Sequence, residues 1–359
     1  MAKHIILLGA GASAQFGAPV MSNFLDVARD LYAAGKVGPE KGRFENVFSA
    51  IASLQAVHSK ADFDLINIES IFTAFELAKT LGRFPDRKPE ELDKLIEDLK
   101  WLIIVTIEQT VRFRANEGRI EAHDGTASFL AKLRELWKGT PVSLAILTFN
   151  YDIIWDLALL QAGFRVDYGV GQRVAEDRRI PLLKLHGSLN WGVESQSGAV
   201  VPWFLSNYLS HFGVEPFREI KEARIPIGSQ IFRLMEFTSE KKQINPVPVI
   251  VPPSWNKADS HRAISSVWAK AAEELSDAES IYVVGYSLPT TDSFFRQLFA
   301  LGSVGKTLLK RFWVFNPDPS REAVFRGMLG QGALSRFRYY PDTADFAFGV
   351  ISRAISGKE

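Results

Sequence analysis

From His4 to Leu8 the chain is continuously apolar, and the run stops at the turn Gly9-Ala10-Gly11-Ala12-Ser13. A strand without a polar face has no side to give to water. It belongs in the middle of a sheet that is covered on both faces, which in practice means a parallel sheet flanked by helices. The glycine turn is expected to lead into a helix.

Short apolar runs of the same kind recur at Ser143 to Phe149, Ile180 to Leu185, Val247 to Val251, Ser280 to Val284 and Arg311 to Phe315. Most are followed by turn residues and then a helical stretch. This alternation predicts an α/β, Rossmann-like fold, a mostly parallel sheet with helices on both faces. Between the first two runs, from about residue 43 to 138, the apolar spacing changes to a helical period, as in PEELDKLIEDLKWLIIVTIEQTVRF. A helical insertion or subdomain is expected there. A small irregular excursion, rich in aromatics and turn residues, is expected at about 192–243. One nucleotide-binding domain spanning 1–359 accounts for the whole sequence, and no internal repeat interrupts it.

The 42 basic residues offset 41 acidic ones, so no global charge points to nucleic acid or to an anionic membrane. There is no cysteine, which removes disulfides, thiol nucleophiles and every cysteine-based zinc site. No apolar stretch approaches the roughly 18 to 20 residues of a membrane span. The first residues, MAKHIILLGAGAS, lack the flanks of an export signal, so a cytoplasmic location is expected. No metal-ligand spacing is recognisable, and no metal is expected.

Chemistry-bearing residues gather where the apolar runs end. Gly9, Gly11 and Ala14 satisfy the G-x-G-x-x-G/A dinucleotide pattern, in which glycines open unusual backbone conformations and let a diphosphate reach main-chain N–H groups. A dehydrogenase would need a strand ending in an acid about 20 residues later. That interval here reads FLDVARDLYAAG, which is helical. Asn150 and Asp152 follow the second run, where polar groups face a ligand crevice or else cap the helix that begins DIIWDLALL. His186, in Lys184-Leu185-His186-Gly187-Ser188, sits at a strand exit and is either a base near neutrality or a structural imidazole. Gly285-Tyr286-Ser287 and Phe315-Asn316 close the set; simple turn chemistry is their alternative.

Together these segments resemble the sirtuin family and its bacterial sirtuin-like relatives. Gly9-Ala10-Gly11-Ala12-Ser13 followed by Gly17-Ala18-Pro19 is similar to the GAGxS...GxP loop, Thr148 to Asp152 to T-Q-N-I-D, His186-Gly187 to the catalytic histidine motif, Gly285-Tyr286-Ser287 to G-T-S, and Phe315-Asn316 to the late asparagine motif. The resemblance implies NAD as substrate. Gly9 to Ser13 would hold the diphosphate, Gly285, Ser287 and Asn316 the adenosine half, and Asp152 the nicotinamide carboxamide. Asn150 would place the ribose or an attacking water, and His186 would contact a ribose hydroxyl and act as general base.

Two departures bear on the reaction. The four-cysteine zinc module of deacetylating sirtuins is missing, and Val20-Met21-Ser22 stands where those enzymes carry an arginine. The phrases KLHGSLNW, GYSLPTTD and VFNPDP are closer to the sirtuin-like NADases of bacterial antiviral defence. That resemblance implies an NAD glycohydrolase releasing nicotinamide and ADP-ribose, in anti-phage defence by NAD depletion. The alternatives are a protein deacylase, an ADP-ribosyltransferase, or a non-hydrolysing subunit that senses NAD or ADP-ribose within a larger complex. Such an enzyme needs restraint, which implies a homo-oligomer or a separate ATPase or Argonaute-type partner, with the helical insertion as the expected contact surface.

Overall fold

The computed structural model describes residues 3–55, 64–116, 119–139, 142–170, 179–202, 205, 223–226, 244–245, 247–251, 258–289, 293–302, 304–305 and 307–357. Much of the excursion expected at about 192–243 lies outside them.

Among the described residues seven strands build the main sheet: β1 (Lys3–Leu8), β2 (Ser143–Thr148), β3 (Arg165–Asp167), β4 (Arg179–Lys184), β5 (Ser280–Val284), β6 (Arg311–Phe315) and β7 (Phe337–Tyr340). They lie in the order β7-β6-β5-β1-β2-β4-β3, and every neighbouring pair is parallel. Alternate residues serve opposite cores. Ile6, Leu8, Ile146, Leu182, Tyr282, Val284 and Phe315 enter one, while Ile5, Leu7, Leu147, Leu183, Val283 and Val314 enter the other. This double burial is why the strands read as unbroken apolar runs.

On the first face pack α1 (Phe24–Ala33), α2 (Lys41–Gln55), α3 (Ile68–Leu81), α4 (Leu92–Thr110), α5 (Asp124–Gly139), α6 (Ile154–Gln161) and α10 (Ala344–Ile355). On the second lie α7 (Ala258–Ser276), α8 (Ser293–Gly302) and α9 (Arg321–Arg326). The expected α/β architecture with helices on both faces is therefore what the chain adopts. Among the described residues no helix is long and apolar enough to cross a membrane.

Several local expectations are corrected. The glycine turn does not open an α-helix; it forms two short 3-10 turns, Ala10–Ala12 and Ala14–Phe16, and α1 begins only at Phe24. The run Val247 to Val251 does not join the main sheet. Its two strand residues, Val249–Ile250, pair antiparallel with Gly187–Ser188, and Pro248 just before them has no N–H to give to a ladder. The segment read as helical also contains a ribbon: Arg112–Asn116 pairs antiparallel with Arg119–Glu121 and with Ala223–Pro226. The edge strands β3 and β7 went unread, being too short to show a period.

Candidate active site

The register sets the geometry of the site. Leu8 pairs with Thr148 on one side and Val284 on the other, Thr148 with Lys184, Val284 with Phe315, and Phe315 with Tyr340. The strands therefore end level, and the residues just past that last rung lie side by side. The loops carry the ladder one step further: Gly9 N–H donates to Val284 O, Phe149 N–H to Leu8 O, Leu185 N–H to Thr148 O and Gly285 N–H to Phe315 O. The chain leaves β1 toward β2 and later returns to its other side at β5, so the switch point of the topology lies beside β1. Ligand crevices form there.

A cavity of about 700 Å3 occupies this position. Gly9, Ala10, Gly11, Ser13, Asn150, Asp152, His186, Gly285, Tyr286, Ser287 and Asn316 all line it. The structure thus gathers the residues singled out in the sequence from segments far apart in the chain. Ala12 is the exception; it is fully buried within the first core.

Gly9 and Gly11 are needed for a reason other than the one expected. Neither has a left-handed backbone; instead a Cβ on Gly9 would come within 2.4 Å of the Tyr286 Cα, and one on Gly11 within 2.8 Å of the Gly285 Cα. The glycines let the two loops touch. Most of the turn's N–H groups are also consumed internally: Gly9 by Val284, Gly11 by Gly285, Ala12 by Gly9 and Ser13 by Ala10. Among the described residues no partner takes the N–H of Ala10, Ala14 or Gln15, and all three residues line the cavity. These are the main-chain donors that the turn and the residues just after it offer an anion.

Asn150, Ser13 and Asp152 form one hydrogen-bonded chain. The Asn150 Nδ2 donates to the Gly9 carbonyl at 2.9 Å and to Ser13 Oγ at 2.9 Å, and Ser13 Oγ donates to Asp152 Oδ2 at 2.7 Å. Because a carbonyl can only accept, the Gly9 contact orients the amide. Both amide hydrogens of Asn150 are spent there. What Asn150 can offer a ligand is its Oδ1, an acceptor. The other oxygen of Asp152, Oδ1, accepts from the Ile154 N–H, the first of α6, at 3.0 Å, although the N-cap position itself is Ile153. Burial raises the Asp152 carboxyl above its ordinary range, tempered by the Lys184 ammonium and the Ser13 hydroxyl.

His186 is 2% exposed, with its ring edge-on to Phe149 at 5.0 Å and tilted against Tyr151 at 6.1 Å. Its carbonyl accepts from Val251 N–H, and the next residue turns sharply: Gly187 has φ of 85°, with no room for a Cβ against Val249 O. Phe149 stacks on Tyr286 at 4.4 Å, and Phe295 meets both edge-on. Asn316 ties loops together as well as lining the cavity. Its Nδ2 donates to Tyr286 O at 3.2 Å and its Oδ1 accepts from Asp318 N–H at 3.0 Å.

Sequence reasoning missed part of the wall. Ile68, Glu69 and Phe72 of α3 and Ile103 and Ile107 of α4 line the cavity, so the segment read as a contact surface also shapes the site. The sequence showed only a helical period there. Arg321 and Asp342 line it near Asn316, with Arg321 held by Asp318 at 3.0 Å. Among the described residues no group of three or more His, Asp or Glu is placed to hold a metal.

No family model matches the chain, and no curated protein matches it. Among solved structures it is similar to a complex of a Sir2 homologue with NAD, at 14% identity over 99% of this chain and 90% of that one, with a TM-score of 0.41. It is also similar to a Sir2 structure addressing mechanism and regulation, at 14% identity over 99% and 94% of the two chains and a TM-score of 0.39. A Sir2 complex with the inhibitor EX-527, 2'-O-acetyl-ADP-ribose and a deacetylated p53 peptide shows 15% identity over 99% and 95%, with a TM-score of 0.38. Likenesses this distant carry no chemistry.

Proposed function

We propose that the chain is a sirtuin-like NAD glycohydrolase, which breaks the bond between nicotinamide and ribose and passes the ribosyl group to water. The carrying observation is the Asn150–Ser13–Asp152 chain, which joins the end of β2 to the glycine turn at the switch point, with His186 lining the same cavity. The order of the strand-end motifs along the chain supports the same reading. The cavity volume lies within the roughly 300–1,000 Å3 of small-molecule sites.

In this reading the diphosphate is received by the N–H groups of Ala10, Ala14 and Gln15. The adenosine half lies toward Gly285, Tyr286, Ser287 and Asn316, and the nicotinamide carboxamide toward Asp152. As the glycosidic bond breaks, its electron pair leaves with the ring nitrogen, so a cationic pyridinium departs as neutral nicotinamide and an oxocarbenium-like ribose remains. Water, oriented by Asn150 Oδ1, adds to the ribose carbon and gives up a proton to His186 or to a ribose hydroxyl that His186 holds. The products are nicotinamide, ADP-ribose and a proton. No step draws on a metal.

Water rather than acyl-lysine is the proposed acceptor because the chain lacks the cysteines of the zinc module. The same reading places the enzyme in cytoplasmic anti-phage defence by NAD depletion, restrained by self-assembly or by an ATPase or Argonaute-type partner. Incubating the purified protein with NAD and separating the products by chromatography tests the chemistry. Equal amounts of nicotinamide and ADP-ribose are expected. Intact NAD from every oligomeric form, with NAD still bound, would overturn hydrolysis in favour of a sensing subunit, and turnover only with an acylated peptide would make it a deacylase.

A further inference from the structure

Behind the site runs a buried polar chain that joins the Asp152 main chain to the strand exit carrying His186. Lys184 Nζ donates to the Asp152 carbonyl and, at 3.0 Å, to Asp156 Oδ2; both side chains of this ion pair are 1% exposed. Tyr168 OH donates to the other oxygen, Asp156 Oδ1, at 2.6 Å and accepts from Asn190 Nδ2 at 3.1 Å. Ser188 Oγ donates its one hydrogen to Asn190 Oδ1 at 2.6 Å, while the Tyr151 carbonyl, 3.4 Å from that hydroxyl, accepts from the Leu189 N–H at 2.9 Å. The network thus runs from the main-chain carbonyl of Asp152 at one end to Ser188 at the other.

We infer that Lys184, Asp156, Tyr168, Asn190 and Ser188 are positioning residues, which hold Asn150, Asp152 and His186 in one reactive arrangement. The inference rests on the proposed function only for what the arrangement does. Lys184 and Ser188 stand two residues before and after His186, so the network grips the histidine's own strand exit as well as the Asp152 main chain. A buried ion pair is an expensive way to fasten a loop, since an apolar pair of similar volume is often at least as stable. Its directional contacts are what apolar packing cannot supply. The hydrogen bonds that join these residues to one another run to Asp152 and not to the diphosphate donors at Ala10, Ala14 and Gln15, so the network governs the reacting half of the site rather than capture of the dinucleotide.

Tyr168→Phe and Ser188→Ala each remove one oxygen at a different link and leave the Lys184–Asp156 pair intact. In folded variants, kcat for nicotinamide release should fall about five- to tenfold, the scale of one buried hydrogen bond, with KM for NAD nearly unchanged. The double variant should fall little further, since both cuts open the same chain. Unchanged kcat, a change in KM alone, or fully multiplicative losses would overturn the inference. A second measurement does not depend on turnover. With the protein labelled at asparagine nitrogen, the Asn150 side-chain amide signal, assigned by its loss in Asn150→Ala, should shift in Tyr168→Phe, while that of Asn46, bonded to Asp98, stays in place. If the parent protein releases no nicotinamide, the functional reading fails and this signal alone decides the positioning role; an unmoved Asn150 signal would refute it.

Discussion

The side-chain amide of Asn150 donates to the hydroxyl of Ser13 at 2.9 Å, across a separation of 137 residues. Ser13 in turn donates its hydroxyl hydrogen bond to Asp152, so the polarity of the chain is settled from the Gly9 carbonyl through to the carboxylate. Asn150 is left presenting an acceptor to the cavity, and an acceptor is what orients a water for attack. The same contact binds the end of β2 to the turn after β1.

Asn150→Ala and His186→Ala should both bind NAD and turn it over poorly. Removing a general base typically costs about 10²- to 10⁴-fold in rate, and a group that matters mainly in the transition state lowers kcat rather than affinity. Calorimetric binding alongside product chromatography separates the two effects. Parent-like turnover in either folded variant would reduce these residues to caps and core contacts.

Ser13→Ala tests the middle of the chain. It leaves one Asn150 hydrogen and the buried Asp152 oxygen without their partner, which costs about 1–3 kcal/mol. A melting temperature several degrees lower and turnover reduced by about tenfold or more are expected together. Restoration of both by Ser13→Thr would confirm that the hydroxyl is what counts, whereas a stability loss with full turnover would make Ser13 purely structural.

Gly11→Ala should destabilise the protein in the absence of any ligand. Its new methyl group meets the Gly285 backbone at 2.8 Å, and Gly285→Ala, at a φ of 63°, collides with Ala12 N in return. A glycine needed only for diphosphate approach would lose NAD binding at an unchanged melting temperature. Thermal melts of the ligand-free variants decide between the two.

His4, 6% exposed, has its imidazole pKa lowered to about 4, chiefly by burial and further by Arg311, with Glu279 opposing. The unfolded chain therefore takes up this proton first, near the ordinary value of 6.5. Stability should be full above about pH 6.5 and fall as the pH drops toward 4, by roughly 3 kcal/mol from this residue. Urea unfolding at a series of pH values should show a shallower slope for His4→Gln; an identical slope would assign the acid sensitivity elsewhere.

The architecture was legible because it is written in local composition. A strand buried on both faces must be apolar at every position, so β1, β2, β4, β5 and β6 could be read directly, and with them the residues just past their ends. Edge strands carry no such demand. Arg165–Asp167 and Phe337–Tyr340 are short and partly polar, and only their pairing with β4 and β6 makes them strands. The ribbon at Arg112–Asn116 likewise depends on a partner, Ala223–Pro226, more than a hundred residues away.

For the site, the amino-acid order determined which residues stand at strand ends; it did not determine what those residues do to one another. Asn150 reads as both donor and acceptor until the Gly9 carbonyl and Ser13 take both of its hydrogens. Gly11 reads as a diphosphate contact until the Gly285 loop fills the space beside it. Lys184, a lone charge in an apolar run, acquires meaning only when the fold brings Asp156 to 3.0 Å. Hydrogen-bond partners and close approaches are long-range relations, and the level register of the parallel strands is what created them.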